Sequence, residues 1–231
     1  MLVLAIDTAT RQVGAAIGDG GTIRGEVRLA GGRRHAEQLV PAISALLDWT
    51  GVRLDQLAAI AVDVGPGLFT GLRVGITTAK VMAQALRVPV VPIASLDLVA
   101  YPVRYSPRLV VAVLDARRRE VFHASYRPVP GGVQRIGDYG VSSPDDLVAE
   151  LEARGQEVLL AGDGVAAHAA RFAELDRCEV AGPEFAAPST AALVALATAR
   201  VEREDFSAPW DVHPFYLRES DAELNWAGAR G

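Results

Sequence analysis

The chain has 231 residues, half of them hydrophobic, 22% charged and 6% aromatic, with a net charge of −5. It is too apolar for a disordered polymer, too short for a large multi-domain machine and too acidic overall for a protein that coats nucleic acid. A single cysteine, Cys178, permits no internal disulfide, and the absence of a signal-like start or a long apolar run leads to the expectation of a soluble, cytoplasmic protein with no membrane role.

Leu2 to Ile6 is a short β-branched run that reads as a buried strand, closed by the polar turn Asp7-Thr8-Ala9-Thr10. Val13 to Ile17 then returns, Asp19-Gly20-Gly21 reads as a hairpin turn, and Ile23 to Leu29 alternates as a third strand. From His35 to Trp49 the apolar residues Leu39, Val40, Ile43, Leu46 and Leu47 fall at helical spacing on one stripe, with Gly51 as the exit.

Leu57 to Val64 reads as another buried strand, running into the glycine-rich block Gly65 to Gly75. The helix predicted from Thr70 to Leu86 is apolar almost all round, which calls for burial on more than one side and makes a partner protein the natural second cover. Pro89 to Ile93 is a short strand, Ser95 to Tyr101 a short helix, and Pro102 and Pro107 mark a boundary. The chain is therefore divided into residues 1–103 and 104–231.

Beyond that boundary the opening repeats. Val110 to Asp115 matches Leu2 to Asp7, and a returning strand begins six residues after each aspartate, at Val121 and at Val13. Two such units predict two similar α/β halves. Helices are predicted from Asp145 to Arg154, Ala166 to Leu175 and Thr190 to Arg203, a strand from Val158 to Ala161, a turn at Gly162-Asp163-Gly164, and an extended surface tail from Ala208 to Gly231.

Asp7 and Asp115 at strand ends, with Gly162-Asp163-Gly164, form the skeleton of an actin or sugar-kinase ATP site, in which carboxylates organise a Mg²⁺ water shell and Thr8 and Thr10 could donate to phosphate. The same aspartates could equally satisfy their own turns, because the glycines that let a phosphate approach backbone are missing at Ala9 and in Asp115-Ala116-Arg117-Arg118. The block Gly65 to Gly75 has neither the Walker ending nor Gly-x-Gly-x-x-Gly spacing; Gly71 and Gly75, four apart, favour close packing over phosphate binding. The four histidines show no metal spacing, and Arg117-Arg118-Arg119 reads as a solvated face before it reads as an RNA site.

Ile6 to Thr10, Gly65-Pro66-Gly67-Leu68-Phe69-Thr70-Gly71-Leu72-Arg73-Val74-Gly75, Pro92 to Leu96, Leu114 to Arg117 and Pro214 to Arg218 together resemble the TsaB (YeaZ) family, in the same order along nearly the whole chain. The resemblance implies an actin-like (ASKHA) fold in two halves. It also implies a non-catalytic scaffold role in making N6-threonylcarbamoyladenosine at position 37 of tRNAs that read ANN codons. The implied partners are the transferase paralogue TsaD and the ATPase TsaE, with a self-dimer when alone and tRNA met only through the complex.

TsaD-like proteins hold a metal through a His-x-x-x-His pair that falls on Ser95 and Val99 here, so no metal or cofactor of its own is expected. ATP, ADP and metal are assigned to the partners or to the heterodimer junction, leaving Asp7, Thr8, Thr10 and Asp115 as a vestigial or partner-dependent nucleotide site. The implied docking surface is the helical layer, with Leu39, Ile43, Leu46, Gly71, Leu72, Gly75, Ile76, Ala79 and Met82 as its residues. The competing reading is a stand-alone ATP-binding enzyme of the actin/sugar-kinase type.

Overall fold

In the computed structural model, residues 1–218 are described apart from Gly20, Gly31 and Arg33. The opening meander forms as β1 (Leu2–Asp7), β2 (Gln12–Asp19) and β3 (Thr22–Ala30), antiparallel, with Ala15 facing Ile6 on one side and Val27 on the other. The turn expected at Asp19-Gly20-Gly21 includes Gly20, outside the described residues. β1 and β2 are buried on both faces, as their unbroken apolar runs require, while β3 alternates and forms the sheet edge.

After α1 (His35–Thr50), closed by Gly51 in the left-handed conformation, β4 (Leu57–Asp63) lies parallel to β1. α2 (Phe69–Leu86) then crosses back to β5 (Val90–Ile93), giving the sheet order β3-β2-β1-β4-β5. Next comes α3 (Ser95–Ala100), followed by the second meander of β6 (Leu109–Arg117), β7 (Glu120–Val129) and β8 (Gly132–Ser142). α4 (Pro144–Arg154), β9 (Val158–Ala161), α5 (Asp163–Ala167), α6 (Ala169–Phe172), β10 (Cys178–Val180) and α7 (Thr190–Val201) complete the chain.

The second sheet runs β10-β9-β6-β7-β8, the first sheet's connectivity repeated strand for strand. The internal match around Asp7 and Asp115 is therefore a structural repeat, and the fold is the two-half actin-like arrangement. Two predicted elements differ. Gly162-Asp163-Gly164 opens α5 instead of forming a free turn, and the helix read from Ala166 to Leu175 breaks at His168 into α5 and α6.

A boundary at 103/104 separates the strands of the two sheets but not the layers that cover them. α3 precedes it, yet Leu96, Val99 and Ala100 pack with Val110, Ala112 and Ala124 of the second sheet. α7 follows it, yet Leu193, Val194 and Ala197 pack with Val3, Ala5 and Ala16 of the first. Each half covers its partner's sheet, which ties the two together by apolar burial of roughly 1.5–3 kcal/mol per fully buried Val or Leu.

The tail read as a surface segment is anchored as far as it is described. Val212 is buried in the core beside α2, the Lys80 Nζ donates to the Val212 carbonyl at 3.0 Å, and the Phe215 N–H donates to the Val64 carbonyl at 2.7 Å. Residues 219–231 of that predicted segment lie outside the described residues. The sheet, α1 and Val212 cover much of the apolar surface of α2 within the chain, and Val81 remains exposed. Among the described residues, no helix is long and apolar enough to cross a membrane.

Candidate functional site

β1 and β4 end side by side in aspartates, and both carboxyls are sealed from solvent. One Asp7 oxygen accepts the Ala9 N–H at 2.9 Å; one Asp63 oxygen accepts the Gly65 N–H at 2.8 Å and the Ser95 hydroxyl at 2.6 Å. The second oxygen of each is buried without a partner. Burial raises Asp7 to about 6, and burial together with the neighbouring Asp7 charge raises Asp63 well above the ordinary carboxylate range. Two adjacent carboxyls in a dry site do not both ionise at low cost, so the pair retains a proton.

The glycine-rich block closes over the turn that follows Asp7. The Leu68 N–H donates to the Ala9 carbonyl at 2.7 Å, and the Thr8 hydroxyl donates to the Gly71 carbonyl at 2.7 Å. A Cβ at Gly67 would collide with the Ala9 carbonyl, one at Gly71 with the Thr8 carbonyl, and one at Gly75 with the Thr8 hydroxyl. The His35 Nε2 lies 2.7 Å from the Thr10 carbonyl. The polar groups of this turn are thus consumed internally, and the glycines serve close approach of α2 to β1.

These contacts correct the nucleotide expectation for the first half. Asp7 and Thr8 have no exposed surface to offer Mg²⁺ or phosphate, and Thr10 is buried with its hydroxyl accepting the Gln12 N–H at 3.3 Å. Asp115 is partly exposed, but it accepts the Arg117 N–H at 2.9 Å and pairs with that guanidinium at 3.0 Å. Gly162 and Gly164 press against the backbone of Val113 and Leu114, and Asp163 accepts the Asp115 N–H at 3.0 Å. At the positions matching a metal-binding histidine pair, Ser95 holds Asp63 and Val99 is core, so neither fits a metal.

Between the halves runs a cleft of about 380 Å³, lined by Pro66 to Thr70 from the start of α2, Asp115 to Arg117 and Phe122 from the second sheet, and Phe215 to Arg218. At its rim the Phe69 and Tyr216 rings stack at 5.3 Å, with the Arg73 guanidinium 3.9 Å from the Phe69 ring centre.

The expected docking residues are corrected by burial. Leu39, Leu46, Gly71, Leu72, Gly75, Ile76 and Ala79 are buried in the first half's own core, because most of each helix's apolar stripe packs on the sheet, while Ile43, also buried, lines the groove between the two helices. Met82 is half-buried and borders an open apolar groove of about 500 Å³ between α1 and α2. The exposed side chains there are Val40 (60%), Val81 (61%) and Leu54 (42%), with Trp49 (76%) also exposed at the end of α1. Val40 and Val81 belong to the apolar sets that the helical spacing picks out but not to the expected docking residues, and they face outward. Asp63 was also missed, although it repeats the strand-ending aspartate that singled out Asp7 and Asp115.

A family model described as "TsaD: tRNA N6-adenosine threonylcarbamoyltransferase" matches residues 27–226. The tRNA threonylcarbamoyladenosine biosynthesis protein TsaB of Bacillus subtilis is 29% identical over 98% of this chain and 98% of its own length. An uncharacterized protein of Mycobacterium tuberculosis is 37% identical over 96% of this chain and 93% of its own. Among solved structures, YeaZ from Pseudomonas aeruginosa superposes with a TM-score of 0.82 at 29% identity, covering 94% of this chain and 99% of that one.

Proposed function

From the premise that this chain belongs to the TsaD family and stands with its TsaB (YeaZ) members, we propose that it is the non-catalytic subunit of a complex that makes threonylcarbamoyladenosine in tRNA. It pairs with a TsaD-type transferase and works with the ATPase TsaE, and the transferase carries the threonylcarbamoyl group to N6 of adenosine 37 in tRNAs reading ANN codons. The work takes place in the cytoplasm.

The observation that carries this reading is the closure of the Asp7 turn by the glycine block. An actin-like ATPase needs that turn open to phosphate, whereas here the Leu68 N–H donates to the Ala9 carbonyl and the Thr8 hydroxyl to the Gly71 carbonyl across it. Ser95 and Val99, spent on Asp63 and on the core, support the same division of labour. ATP, ADP and metal then belong to the partners or to the heterodimer junction. The groove bordered by Val40, Val81 and Met82 supplies the partner surface, and two copies of this chain pair through it when the transferase is absent.

The test is reconstitution. tRNA from cells lacking this chain should lack the modification, and only chain and transferase together should restore it in vitro. Tight Mg-ATP binding and turnover by the isolated chain, read by calorimetry, would instead make it an ATP-using enzyme in its own right.

A further inference from the structure

The two sheets repeat each other strand for strand, so β10 stands where β5 stands, yet the two outer edges are finished differently. In the first half the Ile60 N–H donates to the Pro89 carbonyl at 3.1 Å, and Val90, next along, turns its backbone outward. Ser207 closes that edge from the far side, antiparallel: the Val90 N–H donates to the Ser207 carbonyl at 3.0 Å and the Ser207 N–H to the Val90 carbonyl at 2.8 Å. Further along, Val212 is buried in the apolar core beside α2. A strap with one paired residue and one buried aliphatic side chain thus seals the β5 edge and the flank of α2.

In the second half the Val158 N–H donates to the Arg177 carbonyl at 2.9 Å and the Ala181 N–H to the Leu160 carbonyl at 2.8 Å. Alternate residues of a parallel strand bond to opposite sides, so Cys178, the counterpart of Val90, and Val180 point their N–H and carbonyl groups away from β9. Among the described residues no backbone group meets them. Beside this edge lies a groove of about 220 Å³ lined by Val165, Ala169, Phe172, Ala173, Val180 and Pro183 among others, every one of them apolar, and Val180 is 55% exposed. The other edges are blunted: Arg24, Glu26 and Arg28 stud β3, the strap covers β5, and β8 shifts register around Gly137.

We propose that the β10 edge and its groove take an extended segment of a partner protein, added antiparallel to β10 as Ser207 is added to β5, with an aliphatic side chain seated in the groove and a basic one beside Glu184. Outward N–H and carbonyl groups at strand spacing match a polypeptide backbone, which neither a nucleic acid nor a lipid supplies. The groove is smaller than the roughly 300 Å³ at which small-molecule pockets begin, and its lining offers no cation for a phosphate. The Glu184 carboxylate leans over Gly182 at the groove's mouth and has no ion pair among the described residues, whereas Glu179 is held by Arg108. A basic side chain on the incoming segment completes that charge. This contact lies on the half opposite the α1–α2 groove and does not rest on the function proposed above.

The probe is a fluorescent peptide with the strap's own sequence, Asp205 to His213, carrying Asp205→Lys and Asp211→Lys. Added to the full chain, its binding is read by anisotropy and its place by the NMR amide shifts of Cys178 and Val180. Cys178→Pro removes the outward N–H and leaves the bonds of Arg177 and Ala181 to β9 in place, so affinity should fall on the order of tenfold while the melting temperature holds within a few degrees. Ala169→Glu puts a charge into the groove from an exposed position and should weaken binding as much. Glu184→Gln should weaken the lysine peptide several-fold and leave the unsubstituted strap peptide unaffected.

A lysine peptide that does not bind at millimolar concentration, or that binds the Cys178→Pro and Ala169→Glu variants as well as wild type, overturns the proposal. So do amide shifts confined to β5 and α2, since the peptide then only displaces the strap it copies. Cys178 and Val180 amides that exchange slowly in the chain alone overturn it as well, because the edge is then already covered. If Cys178→Pro does not fold, Ala169→Glu carries the test, its side chain lying on the surface.

Discussion

Asp7 and Asp63 end adjacent parallel strands one residue past the Ile6–Val62 pair, each with one carboxyl oxygen bonded and the other buried without a partner. Unfolded, both titrate near 3.8; folded, Asp7 holds its proton to about 6 and Asp63 is likewise pushed well above its ordinary value, chiefly through burial. Above 3.8 the folded state thus binds more protons than the unfolded state, so stability falls as pH rises through the Asp7 value and beyond.

Urea unfolding should accordingly give a free energy higher at about pH 5 than at about pH 7.5, by roughly 1–3 kcal/mol. Asp63→Asn keeps an oxygen for the Gly65 N–H, removes one charge and should flatten the dependence. A midpoint that climbs from pH 5 to 7.5, or an Asn variant with the wild-type slope, refutes the raised titration of this pair.

Gly71 is where α2 meets the Asp7 turn, and an added methyl would fall on the Thr8 carbonyl. Gly71→Ala must push the helix off β1 and break the bond from the Thr8 hydroxyl, at a cost of about 2–4 kcal/mol, large enough to lower the melting temperature by many degrees. The same geometry means that an arginine at Gly75 or an aspartate at Ile76 attacks the fold before it reaches any partner. An unchanged melting temperature for Gly71→Ala would show that the block is looser than these contacts require.

Much of this architecture was legible in the sequence because burial and chain geometry write it there. Strand-ending aspartates at 7 and 115 marked the repeat, and helical spacing marked α1 and α2 to within a residue or two. β8 was missed because it is mostly half-exposed and lacks an apolar alternation; β10 has three residues. The exchange of α3 and α7 between halves is a tertiary choice that no local pattern records. At the docking face, helical spacing marks Leu39 and Val40, or Ile76 and Val81, alike as apolar and does not record which of them the sheet covers, so the expected docking residues included Leu39 and Ile76 but not Val40 and Val81.

Tyr126 and Tyr139 both donate to Asp97, at 2.8 and 3.0 Å, linking β7 and β8 to α3 beneath the second sheet. Tyr126 is fully buried, and burial, followed by the Asp97 charge, pushes its phenol far above the ordinary value. Tyr126→Phe deprives the Asp97 carboxylate of a donor in a dry setting, and about 1–2 kcal/mol should be lost. Tyr139→Phe, at a wetter position, should cost less. Equal stability of Tyr126→Phe and wild type in denaturant would mean that water replaces the phenol.

Val40 on α1 and Val81 on α2 are each about three-fifths exposed on the rim of one apolar groove, while their neighbours Leu39 and Ala79 pack inward. Substitution there separates partner binding from folding, as substitution on the buried stripe cannot. Val40→Asp and Val81→Asp should leave the melting temperature within a few degrees of wild type, since neither places a charge in the core. Each should weaken pairing with the transferase by tenfold or more if the groove holds the centre of the interface, and the self-dimer should dissociate in parallel. Light scattering reads both equilibria. A double variant that still pairs at wild-type affinity would move the interface off this groove, leaving Trp49 at the end of α1 as the next anchor to test.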